Sequence, residues 1–193
     1  MKINRQKFYE RFRKLFGKLS QKQVEGFEAI FDEWEKQKLK DARWLAYMLA
    51  TAWHETAATM QPIEEYGKGR TRKYGKKIKH SGVSYAMPNK LYYGRGFVQL
   101  TWFENYQLMT RLLKLDLLNE PELALQMDVA IKIMFEGMMR GASSFGDFTG
   151  RCLEMYFNDT TNNPIGARKI INGTDKAELI AKHHNNFLEC LKP

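Results

Sequence analysis

The sequence predicts a mainly α protein with one small β element. Apolar residues recur at helical spacing through most of the 193 residues. Only the stretch 91–100 carries short aromatic and β-branched runs broken by glycines, the pattern of a hairpin. Apolar residues at 44% against charged residues at 27% describe a chain able to bury a core, which excludes intrinsic disorder. The length suits one compact domain over 1–193, with room for two lobes around a cleft. No repeat, low-complexity tract or Pro/Ser linker divides it, so no separate binding module is expected.

Seven helices are predicted in order. Phe8, Phe12, Leu15 and Phe16 form one apolar stripe, which stops at Gly17. Ser20 with Gln23 forms a capping box for a second helix, which carries Val24, Phe27, Ile30, Phe31 and Trp34. Asp41 caps a third from Ala42 to about His54, apolar nearly all round and therefore the central buried helix. From Gly67 to Lys79 there are seven Lys or Arg, three glycines and no acidic residue, a basic loop. After the hairpin at 91–100, Thr101 and Glu104 are placed to cap a helix through about Leu113. Pro121 opens a long helix with Leu123, Met127, Ile131, Phe135 and Met138 facing inward, ending near Gly141. A shorter helix is expected from Thr149 to Phe157, and Asp175 caps a last one through Leu191.

Charge and cysteine usage bound the function. Thirty-one Lys plus Arg against 22 Asp plus Glu give +9, a balance suited to nucleic acid, an anionic membrane surface or an acidic cell-wall polymer. The longest nearly apolar stretch, Trp44 to Trp53, is about half a membrane span. The N-terminus has scattered charges and no apolar core of a secretory leader, and two cysteines are too few for a disulfide framework. Folding in a reducing cytoplasm is the expectation.

Several chemistries are excluded. His54-Glu55 opens a zinc-protease pattern, but Ala58 occupies the position of the second histidine. No clustered cysteines, phosphate-cradling GxxxxGK[ST] loop, dinucleotide loop or GxSxG elbow is present, so no metal or cofactor is expected. Cys152 sits in an apolar pattern with Leu153, Met155 and Tyr156 and reads as an inert thiol.

Carboxylates remain. Glu55 ends the most apolar helix, where burial and the negative helix terminus both favour the neutral acid, the state a general acid needs. Glu64 and Glu65 follow beside the basic loop, where a carboxylate stays ionised. Two carboxyls pushed apart in this way are the minimum for hydrolysing a glycosidic bond. Alternation along 98–101 puts Gln99 and Thr101 on one face, able to bind a sugar or a water, and Val98 and Leu100 on the other. Tyr92, Tyr93 and Trp102 are candidates to offer flat faces to pyranose rings.

Three runs taken together, His54-Glu55-Thr56, the stretch YYGRGFVQLTWFENY from Tyr92 to Tyr106, and Ile170-Ile171-Asn172-Gly173, resemble glycoside hydrolase family 19, the chitinase-like enzymes. The short bacterial and phage endolysin members look most similar. The resemblance implies a lysozyme-like α+β fold, helical with a small hairpin lining a substrate cleft, and inverting hydrolysis of β-1,4-linked N-acetylhexosamine polymers without a cofactor. Glu55 matches the general acid. The base falls at Glu64 or Glu65, with Glu65 preferred because it directly precedes Tyr66-Gly67, and Glu64 then a substrate-binding candidate. Thr101 matches a position that holds the nucleophilic water, where the family often has serine. Gln99, Asn105 and Asn172 match substrate-binding positions.

Peptidoglycan is the preferred substrate and chitin the alternative. A basic protein made in a bacterial cytoplasm, released by a holin it need not touch, and acting as a monomer on the periplasmic wall is the expected setting. The rival from another class, a nucleic-acid-binding module, would use the charge but leave the glutamates idle.

Overall fold

A computed structural model describes residues 1–139 and 148–193. Its described residues contain six α-helices and one two-stranded antiparallel sheet. The helices are α1 (Arg5–Phe16), α2 (Gln21–Lys36), α3 (Ala42–Glu55), α4 (Phe103–Leu113), α5 (Met127–Met138) and α6 (Ala177–Cys190). The strands are β1 (Ile63–Glu64) and β2 (Arg95–Gly96), paired Ile63 to Gly96 and Glu64 to Arg95.

Local sequence sets the first three helices. Asn4 accepts from the Lys7 N–H at the start of α1, Ser20 and Gln23 close a reciprocal capping box on α2, and Asp41 accepts from the Arg43 N–H at α3. Every residue of α3 from Leu45 to Ala52 is buried. Aromatic rings gather at its end: Phe8, Phe12 and Phe16 of α1, Phe27 of α2, Trp53 of α3 and Phe187 of α6 meet edge-on, tilted or stacked with ring centroids from 4.7 to 6.4 Å. This cluster fixes α3, and with it the end of α3 where Glu55 emerges.

Five expectations need correction. The 91–100 stretch does not pair with itself as a hairpin. Its Arg95-Gly96 pairs with the chain after α3, while a bridge from Arg95 to Leu100 closes a local turn. Thr101 does not cap α4: Trp102 holds the cap position at φ +74°, and the Glu104 carboxylate accepts from the His80 and Ser81 N–H groups instead. The helix expected from Pro121 is two pieces, a 3-10 turn Pro121–Leu125 and α5, broken where Gln126 turns extended. It ends at Met138, and Gly141 lies outside the described residues. Between Thr149 and Phe157 there is only a 3-10 turn, Leu153–Met155, so the sixth of the seven predicted helices is absent; and Lys176 rather than Asp175 occupies the α6 cap.

Candidate active site

Two turns carry the site. Directly after Glu55 the chain passes through left-handed backbone at Ala57, Ala58 and Met60, and Thr56 anchors the turn by donating its hydroxyl to Ala52 O and accepting from the Met60 N–H. The second turn is Gly94 to Trp102. A Cβ at Gly94 would stand 2.5 Å from Gln99 Oε1, so a larger residue there would displace the Gln99 amide. Gln99 in turn donates its amide to Ile63 O at 3.1 Å and to Gly96 O at 3.3 Å, stapling β1 to β2.

Between these turns opens a cleft of about 1120 Å³ lined by residues from both halves of the chain. Glu55, Glu65, Gln99, Thr101, Trp102, Asn105 and Asn172 all border it. The Glu55 side chain is 14% exposed, and its Oε1 accepts from Arg168 Nη1 at 2.6 Å. Arg168 is itself buried and donates Nε to Asp175 O. Oε2 of Glu55 has no partner among the described residues.

Glu65 borders the same cleft in a different setting. Its Oε1 accepts from the Tyr74 hydroxyl at 3.1 Å and its Oε2 from the Gly94 N–H at 3.3 Å. Burial and the adjacent Glu65 carboxylate push the Tyr74 phenol up to about 12, so it remains a donor at neutral pH. Thr101, Asn105 and Asn172 have side chains with no hydrogen-bond partner among the described residues, free to meet a ligand in the cleft. Trp102 meets Tyr74 and His80 edge-on.

Three candidates lie elsewhere. Glu64 borders a shallower groove with Pro62, Ile63, Tyr66, Lys68 and Leu125, not the main cleft. It pairs with Lys68 at 2.8 Å and accepts from Tyr93 Oη at 2.9 Å; Lys68 and then Tyr93 hold its carboxyl below the usual range. Tyr92 is fully buried, its ring against Phe103 and Tyr106 and its hydroxyl donating to Leu118 O, so it is core rather than a sugar platform. Tyr93 is 8% exposed, with the Arg95 guanidinium 3.8 Å from its ring centroid, and supports Glu64 instead of facing the cleft. Sequence reasoning missed Arg168 and Tyr74. Arg168 lies in the Ala-Arg-Lys-Ile-Ile-Asn run beside Asn172, where its position was legible but its partner 113 residues away was not. Among the described residues no cluster of His, Cys, Asp or Glu is arranged to hold a metal.

A model of glycoside hydrolase family 19, chitinase class I, matches residues 19–141. The chain belongs to that family. The likeness to known members is of two sorts. An endochitinase of Arabidopsis thaliana is 43% identical over 82 residues, which is 42% of this chain and 29% of that relative's length. Chitinase C of Streptomyces griseus superposes with a TM-score of 0.61 at 22% identity, over 94% of this chain and 90% of that one. A bacterial family 19 chitinase gives 0.59 at 20% identity, over 94% and 93%. At these identities the superpositions speak for the fold: the mainly helical, lysozyme-like family 19 architecture is present here.

Proposed function

We propose that this family 19 hydrolase cleaves β-1,4 bonds of peptidoglycan by an inverting, two-carboxylate mechanism. The observation that carries the mechanism is the placement of Glu55 and Glu65 on one cleft with unlike partners. Arg168 fixes Glu55 by Oε1 and leaves Oε2 to deliver a proton to the leaving oxygen. Glu65, held by Tyr74 and the Gly94 N–H, takes a proton from a water that attacks the opposite face of the ring. Thr101 supplies a hydroxyl to orient that water, and Asn105 and Asn172 supply amides for N-acetyl and hydroxyl groups. An inverting pair leaves room for the water between carboxyls about 6.5–9.5 Å apart.

Charge favours peptidoglycan over chitin. The segment 66–90 holds eight Lys or Arg and no Asp or Glu, and so accounts for eight of the nine net charges. Arg72 and Lys73 of that segment rim the cleft. Chitin is neutral, whereas the peptides of peptidoglycan bear carboxylates that such a rim attracts. A phage or prophage lysis enzyme, made in the bacterial cytoplasm and reaching the wall after release through a holin-type pore, is the setting this substrate implies.

Purified sacculi and purified chitin, digested side by side and followed by proton NMR, test both halves. Faster release of soluble fragments from sacculi is expected, with the inverted α-anomer appearing first. Release from chitin alone overturns the substrate, and first appearance of the β-anomer overturns the mechanism.

A further inference from the structure

The segment 66–90 has two sides. Thr71, Arg72, Lys73, Tyr74, His80 and Ser81 face the cleft. The others do not, and they include Lys68, Arg70, Lys76, Lys77, Lys79 and Lys90. Of the segment's eight cations only Lys68 has an ion pair among the described residues. The same segment holds the three most exposed large apolar side chains among the described residues: Tyr66 at 87%, Met87 at 75% and Val83 at 60%. Single exposed apolar residues are ordinary, but three on one short segment that also holds nearly all the net charge are not.

Hydrogen bonds draw the C-terminal part of this segment into one knot. Lys79 N–H donates to Val83 O, Tyr85 N–H to Lys77 O, Tyr85 Oη to Lys90 O, and Lys77 Nζ to Asn89 Oδ1. An antiparallel bridge from Ile78 to Ser84 closes the small hairpin, with Gly82 at its turn. Val83 and Met87 therefore project from the same tied loop as Lys77, Lys79 and Lys90. Lys79 lies over the Phe103 ring at 4.3 Å, which fastens the knot to α4.

We propose that the outer side of this segment is a docking surface for an anionic lipid bilayer. Cations attract the headgroups, and Val83 and Met87, with Tyr66 beside Lys68, enter the boundary between headgroups and acyl chains. A dissolved polyanion would account for the cations but gives the apolar side chains nothing to bury against. The proposal goes beyond the glycosidase reading and does not depend on it. No helix among the described residues is long and apolar enough to cross a membrane, so the association is with the surface.

Sedimentation of the full chain with vesicles tests it, using phosphatidylcholine mixed with phosphatidylglycerol against phosphatidylcholine alone, and polyphosphate as a soluble polyanion. The wild-type chain is expected to pellet with the anionic vesicles and not the neutral ones, less so at high salt. Lys76→Gln/Lys77→Gln/Lys90→Gln should lower partition by about tenfold or more. Val83→Ser/Met87→Ser should lower partition to vesicles by about tenfold while leaving polyphosphate binding unchanged. Both variants should keep the wild-type thermal transition and wild-type hydrolysis of a short chito-oligosaccharide. If the double variant loses its transition, Met87→Ser alone takes its place. Absence of wild-type binding to anionic vesicles overturns the proposal. So does wild-type vesicle binding by the apolar variant, which would make the surface a binder of soluble polyanions only.

Discussion

Glu64 and Glu65 differ by one residue in sequence and by the side of the strand they occupy. Successive side chains of an extended segment point to opposite faces, so one carboxylate enters the cleft and the other meets Lys68 and Tyr93 in the neighbouring groove. Glu65→Gln should therefore cost about 10² to 10⁴-fold in kcat. Glu64→Gln should leave kcat within a few-fold and the denaturation midpoint nearly unchanged, because its ion pair with Lys68 is largely exposed. Kinetics of the two variants on one soluble glycan check this; the reverse order would make Glu64 the base. The sequence made the pair legible and left the choice open, since alternation shows that only one residue faces the cleft but not which. Tyr92 shows the opposite failure. An aromatic residue beside a functional stretch looks the same in sequence whether it stacks on a sugar or, as here, on Phe103 and Tyr106.

At the scale of elements, the spacing of the two carboxylates depends on how the chain leaves α3. Gly26 of α2 lets the Met60 carbonyl approach so closely that a Cβ at 26 would stand 1.9 Å from Met60 O. Gly26→Ala must therefore push α2 from the turn that joins Glu55 to β1. A loss of about 3 kcal/mol is expected, read as a fall in denaturation midpoint, with kcat lowered in the folded fraction. An unchanged midpoint would mean the turn yields freely. The elements read well from sequence are those set locally, by Asn4, by Ser20 with Gln23, and by Asp41. Those misread depend on distant partners. Glu104 forgoes a capping box to hold the His80 and Ser81 N–H groups, and Arg95-Gly96 pairs with Ile63-Glu64 rather than within its own stretch. Gln126 turns extended between Leu125 and Met127 with no proline or glycine to announce it.

For the whole molecule, charge and buried histidines give separate predictions. Arg72→Gln/Lys73→Gln should slow clearing of sacculi several-fold at low salt and little at high salt, since exposed charges are screened over about 8 Å at physiological ionic strength. A salt-independent loss would assign these residues to direct binding instead of attraction. Burial lowers the pKa of His54, His183 and His184. The unfolded chain then binds more protons than the folded one below about pH 6.5, so stability rises with pH and falls as pH drops through that value toward the lowered native pKa. Urea denaturation at stepped pH should show a midpoint that declines on the acid side of about 6.5. A midpoint that holds or rises there would show that these imidazoles are protonated in the fold.

Mass spectrometry of borohydride-reduced digests of sacculi decides whether Glu55 and Glu65 hydrolyse the glycan of peptidoglycan, as proposed. Glycan fragments that end in a reduced N-acetylhexosamine with their peptides still attached are expected from the wild-type chain and not from Glu55→Gln folded as wild type. Freed peptides on uncut glycan, or reduced sugar ends that persist in the Glu55→Gln digest, would contradict it.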